Sequence, residues 1–150
     1  MTPSTLARAV ALPALLVAVL ALVLTSCPAN RDGMPGQLAS AKDETQSATR
    51  SAVLALDLWQ RDRSTRQLVA VQLADARDEV AKAYDGIAVL KAEDPADLAR
   101  QNLLTRSMTD IVATLNQANA AVRALPDSAD PAVLRGVLVD ADAALERDYR

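Results

Sequence analysis

From Leu38 to the C-terminus, proline occurs only at positions 95, 126 and 131 and glycine only at 86 and 136, and the intervening apolar residues recur at steps of three and four. That spacing gathers side chains on one face of a helix, whose period is about 3.6 residues. No stretch alternates apolar and polar residues as a half-buried strand would. A chain patterned this way buries its apolar residues helix against helix, so the sequence predicts an all-α fold.

The spacing also predicts where the helices lie. The first is expected from about Ser40 to Arg61, with Ser40 and Asp43 placed like a capping pair and Thr45, Ala48, Ala52, Leu56 and Trp59 on one stripe. Every side chain from Gln60 to Arg66 is polar, and Ser64 with Gln67 offers a fresh N-terminal cap. A turn near Asp62 to Thr65 is therefore expected, with one long unbroken helix as the alternative. The second helix carries Val69, Leu73, Ala76, Val80, Ala83, Ile87 and Leu90. Asp94-Pro95-Ala96-Asp97 reads as a helix start, since Asp caps, Pro suits the first turn and a second Asp complements the dipole. Leu98, Met108, Ile111, Leu115, Ala118, Val122 and Leu125 follow on the third stripe. Asp130-Pro131 repeats the start, and Leu134, Leu138, Ala141 and Leu145 mark the last helix. Short connections make successive helices antiparallel. The expected domain is a monomeric antiparallel up-down four-helix bundle over residues 38–150.

Composition limits the chemistry. The chain has no His and one Cys, which leaves no material for His or Cys zinc sites, His-dependent triads or an internal disulfide. Nor does a phosphate loop, nucleophile elbow or dinucleotide fingerprint occur. No metal or cofactor is implied, and the domain is read as non-catalytic. The formal net charge of -3 argues against a nucleic-acid partner, because phosphate binding calls for a basic excess. With no Phe and 2% aromatic residues, the core must be built from Ala, Leu and Val, which suits close helix packing.

The first 27 residues have a different character. Arg8 is the only charged side chain before a run from Ala9 to Leu24 that contains no charge, the layout of a signal peptide. The run is shorter than the roughly 20 apolar residues of a membrane span, which disfavours an uncleaved anchor. It ends Leu24-Thr25-Ser26-Cys27, an aliphatic residue, two small residues and a cysteine, and in this it resembles the lipobox of bacterial lipoproteins. The resemblance implies that residues 1–26 are a lipoprotein signal peptide, that Cys27 receives a diacylglyceryl thioether and further acylation of the palmitate kind, and that the mature chain is lipid-anchored on the extracytoplasmic face of the cell membrane. The alternative is ordinary secretion with cutting after Ala29. Residues 27–37, with two Pro and two Gly between positions 28 and 36, read as the lipidated cysteine and a flexible tether. The helical part is similar in composition to small Ala- and Arg-rich lipoproteins of high-GC Gram-positive bacteria, which implies no particular activity.

Several residues stand out as candidates for contact. Arg61, Arg63 and Arg66 crowd the expected turn, where they would dock an acidic partner such as another envelope protein, or form a solvated turn neutralised by Asp62, Asp127 and Asp130. Trp59 would be an interface anchor or a core plug. Asn102, Thr105 and Asn119 fall on or near the inward stripe of the third helix, where they would line a small-ligand site or fix register. Asp75, Asp78 and Glu79, and separately Asp140 and Asp142, are carboxylate groups with the look of solvated faces. The favoured reading is a membrane-tethered module that binds another envelope component, with a small-ligand carrier or sensor as the alternative.

Overall fold

The computed structural model describes residues 33–149, which contain four α-helices and no strand: α1 Gly33–Gln60, α2 Arg66–Ala88, α3 Pro95–Val122 and α4 Pro131–Asp148. The expected signal peptide over residues 1–26, Cys27 as the expected site of lipid, and residues 27–32 of the expected tether lie outside the described residues.

The first helix begins at Gly33, so positions 33–37, read from the sequence as tether, are its first turns. Pro35 fits there because the first four backbone N–H groups of a helix have no acceptor inside it. Met34 packs against the core and ties this segment down. Ser40 is consequently inside the helix and caps nothing; its hydroxyl lies 3.2 Å from the Glu44 carboxylate.

α1 ends in a turn, and the unbroken-helix alternative is excluded. Asp62 takes a positive φ of 57°, its N–H donates to Trp59 O at 3.0 Å, and the Arg63 N–H donates to Leu58 O at 2.8 Å. This is a Schellman closure with Asp62 where glycine usually sits. α2 is then capped by Thr65, whose hydroxyl accepts from Leu68 N at 3.3 Å. The expected cap, Ser64, is one residue too early, and its hydroxyl is enclosed without a partner among the described residues. Asp94 and Asp130 cap α3 and α4 as expected, accepting from Ala96 N at 2.7 Å and Ala132 N at 2.8 Å.

The core is aliphatic. α1 contributes Leu38, Ala41, Ala48, Ala52, Ala55 and Leu56, with Thr45 and Thr49 also buried. Each Thr hydroxyl donates to the carbonyl four residues earlier at 2.7 Å, which satisfies it without an outside partner. Small residues on this stripe let α1 and α3 touch directly. α2 and α4 each pack on both members of that pair and do not touch one another.

On α3 the buried positions are Gln101, Leu104, Met108, Ile111, Leu115, Ala118 and Val122. Stepping back from Met108 by four and three reaches Leu104, Gln101 and then Asp97, so Leu98 falls off the stripe and is 48% exposed. Leu125, also expected on the stripe, lies beyond the helix end and is 52% exposed.

Cross-helix contacts orient the elements. Lys42, Gln46, Arg50 and Asp57 of α1 meet Glu146, Asp142 and Arg135 of α4 in falling order, so these two helices run antiparallel. The Asn119 amide donates to Ala70 O at 2.9 Å and Gln101 donates to Ile87 O at 2.6 Å, which makes α2 and α3 antiparallel too. One end of the bundle therefore gathers the α1–α2 and α3–α4 connections; we call it the tip, and the opposite end the base.

Candidate functional site

The tip is built from two closures of the same kind. Residues 61–65 join α1 to α2, and residues 123–130 join α3 to α4. At the second, Ala124 has φ 57°, its N–H donates to Ala121 O at 2.9 Å, and the Leu125 N–H donates to Ala120 O at 3.1 Å. Most residues of both turns are exposed.

The three expected arginines are all exposed here, but they are not equivalent. Arg61 is paired with the carboxylate of Asp57, one helical turn back, at 3.1 Å. Asp57 also receives Arg135 of α4 at 3.4 Å, so Arg61 belongs to a cross-helix network. The expected neutralisation by Asp62, Asp127 and Asp130 is not what occurs: among the described residues none of the three forms an ion pair with these arginines, and Asp130 is engaged in capping α4. Arg63 and Arg66 form no ion pair among the described residues. Arg66 is moreover the first residue of α2, where the positive end of the helix dipole disfavours a cation by roughly 0.3–1 kcal/mol.

Exposed aliphatic side chains accompany the charge. Leu68 and Val71 lie in the first two turns of α2, Leu125 follows α3, and Val133 lies in the first turn of α4. Trp59 is partly buried against the core beside this end. The base differs: Glu93, Asp94 and Asp97 gather there, with Asp97 held by Arg100 at 3.1 Å and Asp94 spent on its cap.

The polar residues of α3 are not brought together. Asn102 is exposed, and Thr105 donates to the carbonyls of Gln101 and Asn102 at 2.9 and 3.2 Å while lining a surface groove with Tyr84, Arg106, Thr109 and Asp110. Asn119 lies fourteen positions beyond Thr105, roughly 21 Å along the helix at 1.5 Å per residue, and its amide is used in fixing α2 against α3. The three do not form one ligand site.

Residues that pattern reading missed are the polar ones with distant partners. Gln101 is buried and donates to both Ile87 O and Leu90 O, at 2.6 and 3.0 Å, closing the C-terminal end of α2. Gln46 donates to Asp142 O and to the Glu146 carboxylate, both at 3.3 Å. The signal for Gln101 was available, since it sits three residues before Leu104 on the α3 stripe. Along the α1/α4 seam, hydrogen bonds from Lys42 and Gln46 hold the Glu146 carboxyl below the usual carboxylate range, and the Asp142 carboxylate raises the Arg50 guanidinium.

Of the remaining carboxylates, Asp78 pairs with its neighbour Arg77 at 2.6 Å and Asp142 with Arg50 at 2.9 Å. Among the described residues no three His, Cys, Asp or Glu side chains gather as a metal-ligand set, and no helix is long and apolar enough to cross a membrane. No protein-family model matches the chain, and no curated protein or solved structure is significantly similar to it.

Proposed function

We propose that this chain is a lipid-anchored extracytoplasmic lipoprotein whose helical domain is a non-catalytic module that binds another envelope protein through its tip. The observation that carries the reading is Leu24-Thr25-Ser26-Cys27 directly after an uncharged run. A thiol at that place is the acceptor for lipid, and two acyl chains give stable attachment where one is marginal. Cys27→Ala is expected to abolish incorporation of a tagged fatty acid, and equal labelling of wild type and variant would refute the anchor.

The tip supports the binding part. Arg63 and Arg66 form no ion pair among the described residues, and exposed Leu68, Val71, Leu125 and Val133 lie at the same end of the bundle, a combination suited to an acidic partner surface with an apolar centre. A cation kept at the first position of α2 against the dipole is a local cost that a binding role accounts for. Confinement to a membrane raises the effective concentration of a membrane-resident partner, so a weak contact suffices.

Photo-crosslinkers at the tip are expected to capture one discrete envelope protein. Arg63→Glu with Arg66→Glu should weaken that capture while helicity is retained or slightly raised, because Glu suits the start of α2. Capture only from positions at the base, or capture unaffected by the charge reversal, would overturn the assignment.

A further inference from the structure

The fold holds α2 and α4 on the α1/α3 pair by different means. Of the 23 residues of α2 seven are buried, whereas of the 18 of α4 only Leu134, Leu138 and Leu145 are. The rest of the α4 attachment is a polar seam of Lys42–Glu146, Arg50–Asp142 and Asp57–Arg135 pairs. That seam is incompletely satisfied, since Arg135 Nε and Asp142 Oδ1 are enclosed without a hydrogen-bond partner among the described residues. Val133, Val137 and Val139 of α4 stay exposed.

The connection into α4 is also strained. Residues 123–130 make it the longest link of the bundle, and two of them, Ala124 and Asp127, have φ of 57°. For Ala this left-handed region is unfavourable, with none of the local side-chain hydrogen bonds that help Asp there. Leu125 and Asp130 each precede a proline, which biases them toward extended backbone. Straightening the link thus relieves the two residues that are bent back, in exchange for the Ala124 N–H to Ala121 O and Leu125 N–H to Ala120 O hydrogen bonds, whose groups at this exposed end solvent can satisfy. A strained link that leads into a terminal element favours exchange of that element between molecules.

We propose that α4 is exchangeable, so that two copies of this chain form a dimer in which each inserts its α4 onto the α1/α3 face of the other. The occupant is fixed by complementarity: a second copy's α4 buries the same three leucines and remakes the same three ion pairs. Contacts are then equal in both forms, and the balance is set by link strain and protein concentration. Exchange of α4 requires neither lipid at Cys27 nor a partner at the tip.

Leu54 and Val139 provide the test, because they line one groove across the α1/α4 seam and are 57% and 41% exposed, so that cysteines there leave the core intact. The full chain carrying Cys27→Ser, Leu54→Cys and Val139→Cys, held in detergent, is treated with a short bis-maleimide. At low concentration the link is expected within one chain. After partial denaturation and refolding at high concentration, a dimer fraction is expected whose chains are joined covalently on a denaturing gel. Adding Ala124→Gly should lower that fraction several-fold by making the closed link unstrained. The proposal is overturned if no dimer forms, if the dimer gives only links within each chain, or if either single cysteine variant cross-links as efficiently, which would mean side-by-side packing. A dimer fraction indifferent to Ala124→Gly would overturn the part assigned to the link.

Discussion

α2 and α4 rest on opposite flanks of the same α1/α3 pair, yet one is embedded and the other attached. α2 presents a continuous stripe of Val69, Leu73, Ala76, Val80, Ala83 and Ile87, and its two ends are fastened by amides from α3 at Ala70 and Ile87. α4 presents three leucines and relies on charge for the rest. Apolar burial neither titrates nor is screened by salt, whereas the seam's ion pairs join partly exposed side chains and so are open to both screening and titration. The difference teaches that stability in this bundle is graded from one flank to the other.

That gradient can be broken in several ways. The largest effect is expected from Leu73→Ala, which removes a fully buried side chain from the embedded flank and should cost about 2–5 kcal/mol in urea denaturation. Leu138→Ala removes an equally buried side chain from α4, but native-state hydrogen exchange should then quicken mainly in α4. Equal quickening of α2 amides would dissolve the distinction. Next comes Gln101→Ala, which takes the side-chain donor from the Leu90 carbonyl, leaves the Ile87 carbonyl only its backbone donors, and should cost about 1–3 kcal/mol. A loss much below that would mean that solvent reaches this end of α2.

Smaller and opposite in sign is Gly136→Ala. A Cβ there meets nothing within 4 Å, and a glycine inside a helix is disfavoured by roughly 0.5–1 kcal/mol relative to alanine, so thermal unfolding should rise. The smallest effect concerns Glu146. Its carboxyl is held below the ordinary range by Lys42 and Gln46, so it stabilises the fold above the unfolded carboxylate pKa, and this contribution is lost as pH falls through the lower folded value. Glu146→Gln should flatten that part of the acid-denaturation curve, and an unchanged curve would remove Glu146 from the seam's energetics.

How far all this was legible in the sequence depends on the kind of signal. The all-α bundle, the turn after α1 and the starts of α3 and α4 were readable because they rest on local chemistry: periodic Leu and Val, a polar run, and Asp-Pro pairs. The end of α3 was not, since Ala124 occupies the left-handed position where glycine would have been the cue. Leu98 and Leu125 were misplaced because a stripe is ambiguous by one residue at its ends. Gln46 reaches a partner a hundred positions away that nothing in the local pattern announces, whereas Gln101 and Asn119 stand on or near the inward stripe of α3, so their place was readable and only their partners were not. At the tip, the sequence located the arginines but could not show that Asp57 engages Arg61 and leaves Arg63 and Arg66 open.

Trp59 gives the molecule a property of a different order. It is the single indole in a chain with no Phe and two Tyr, and its carbonyl accepts the hydrogen bond that closes the turn at Asp62. Half in the core and half at the tip, it emits from the place where partner contact is proposed. A shift of its emission wavelength, or a change in its quenching by iodide, would follow occupancy of the tip optically, with no label attached.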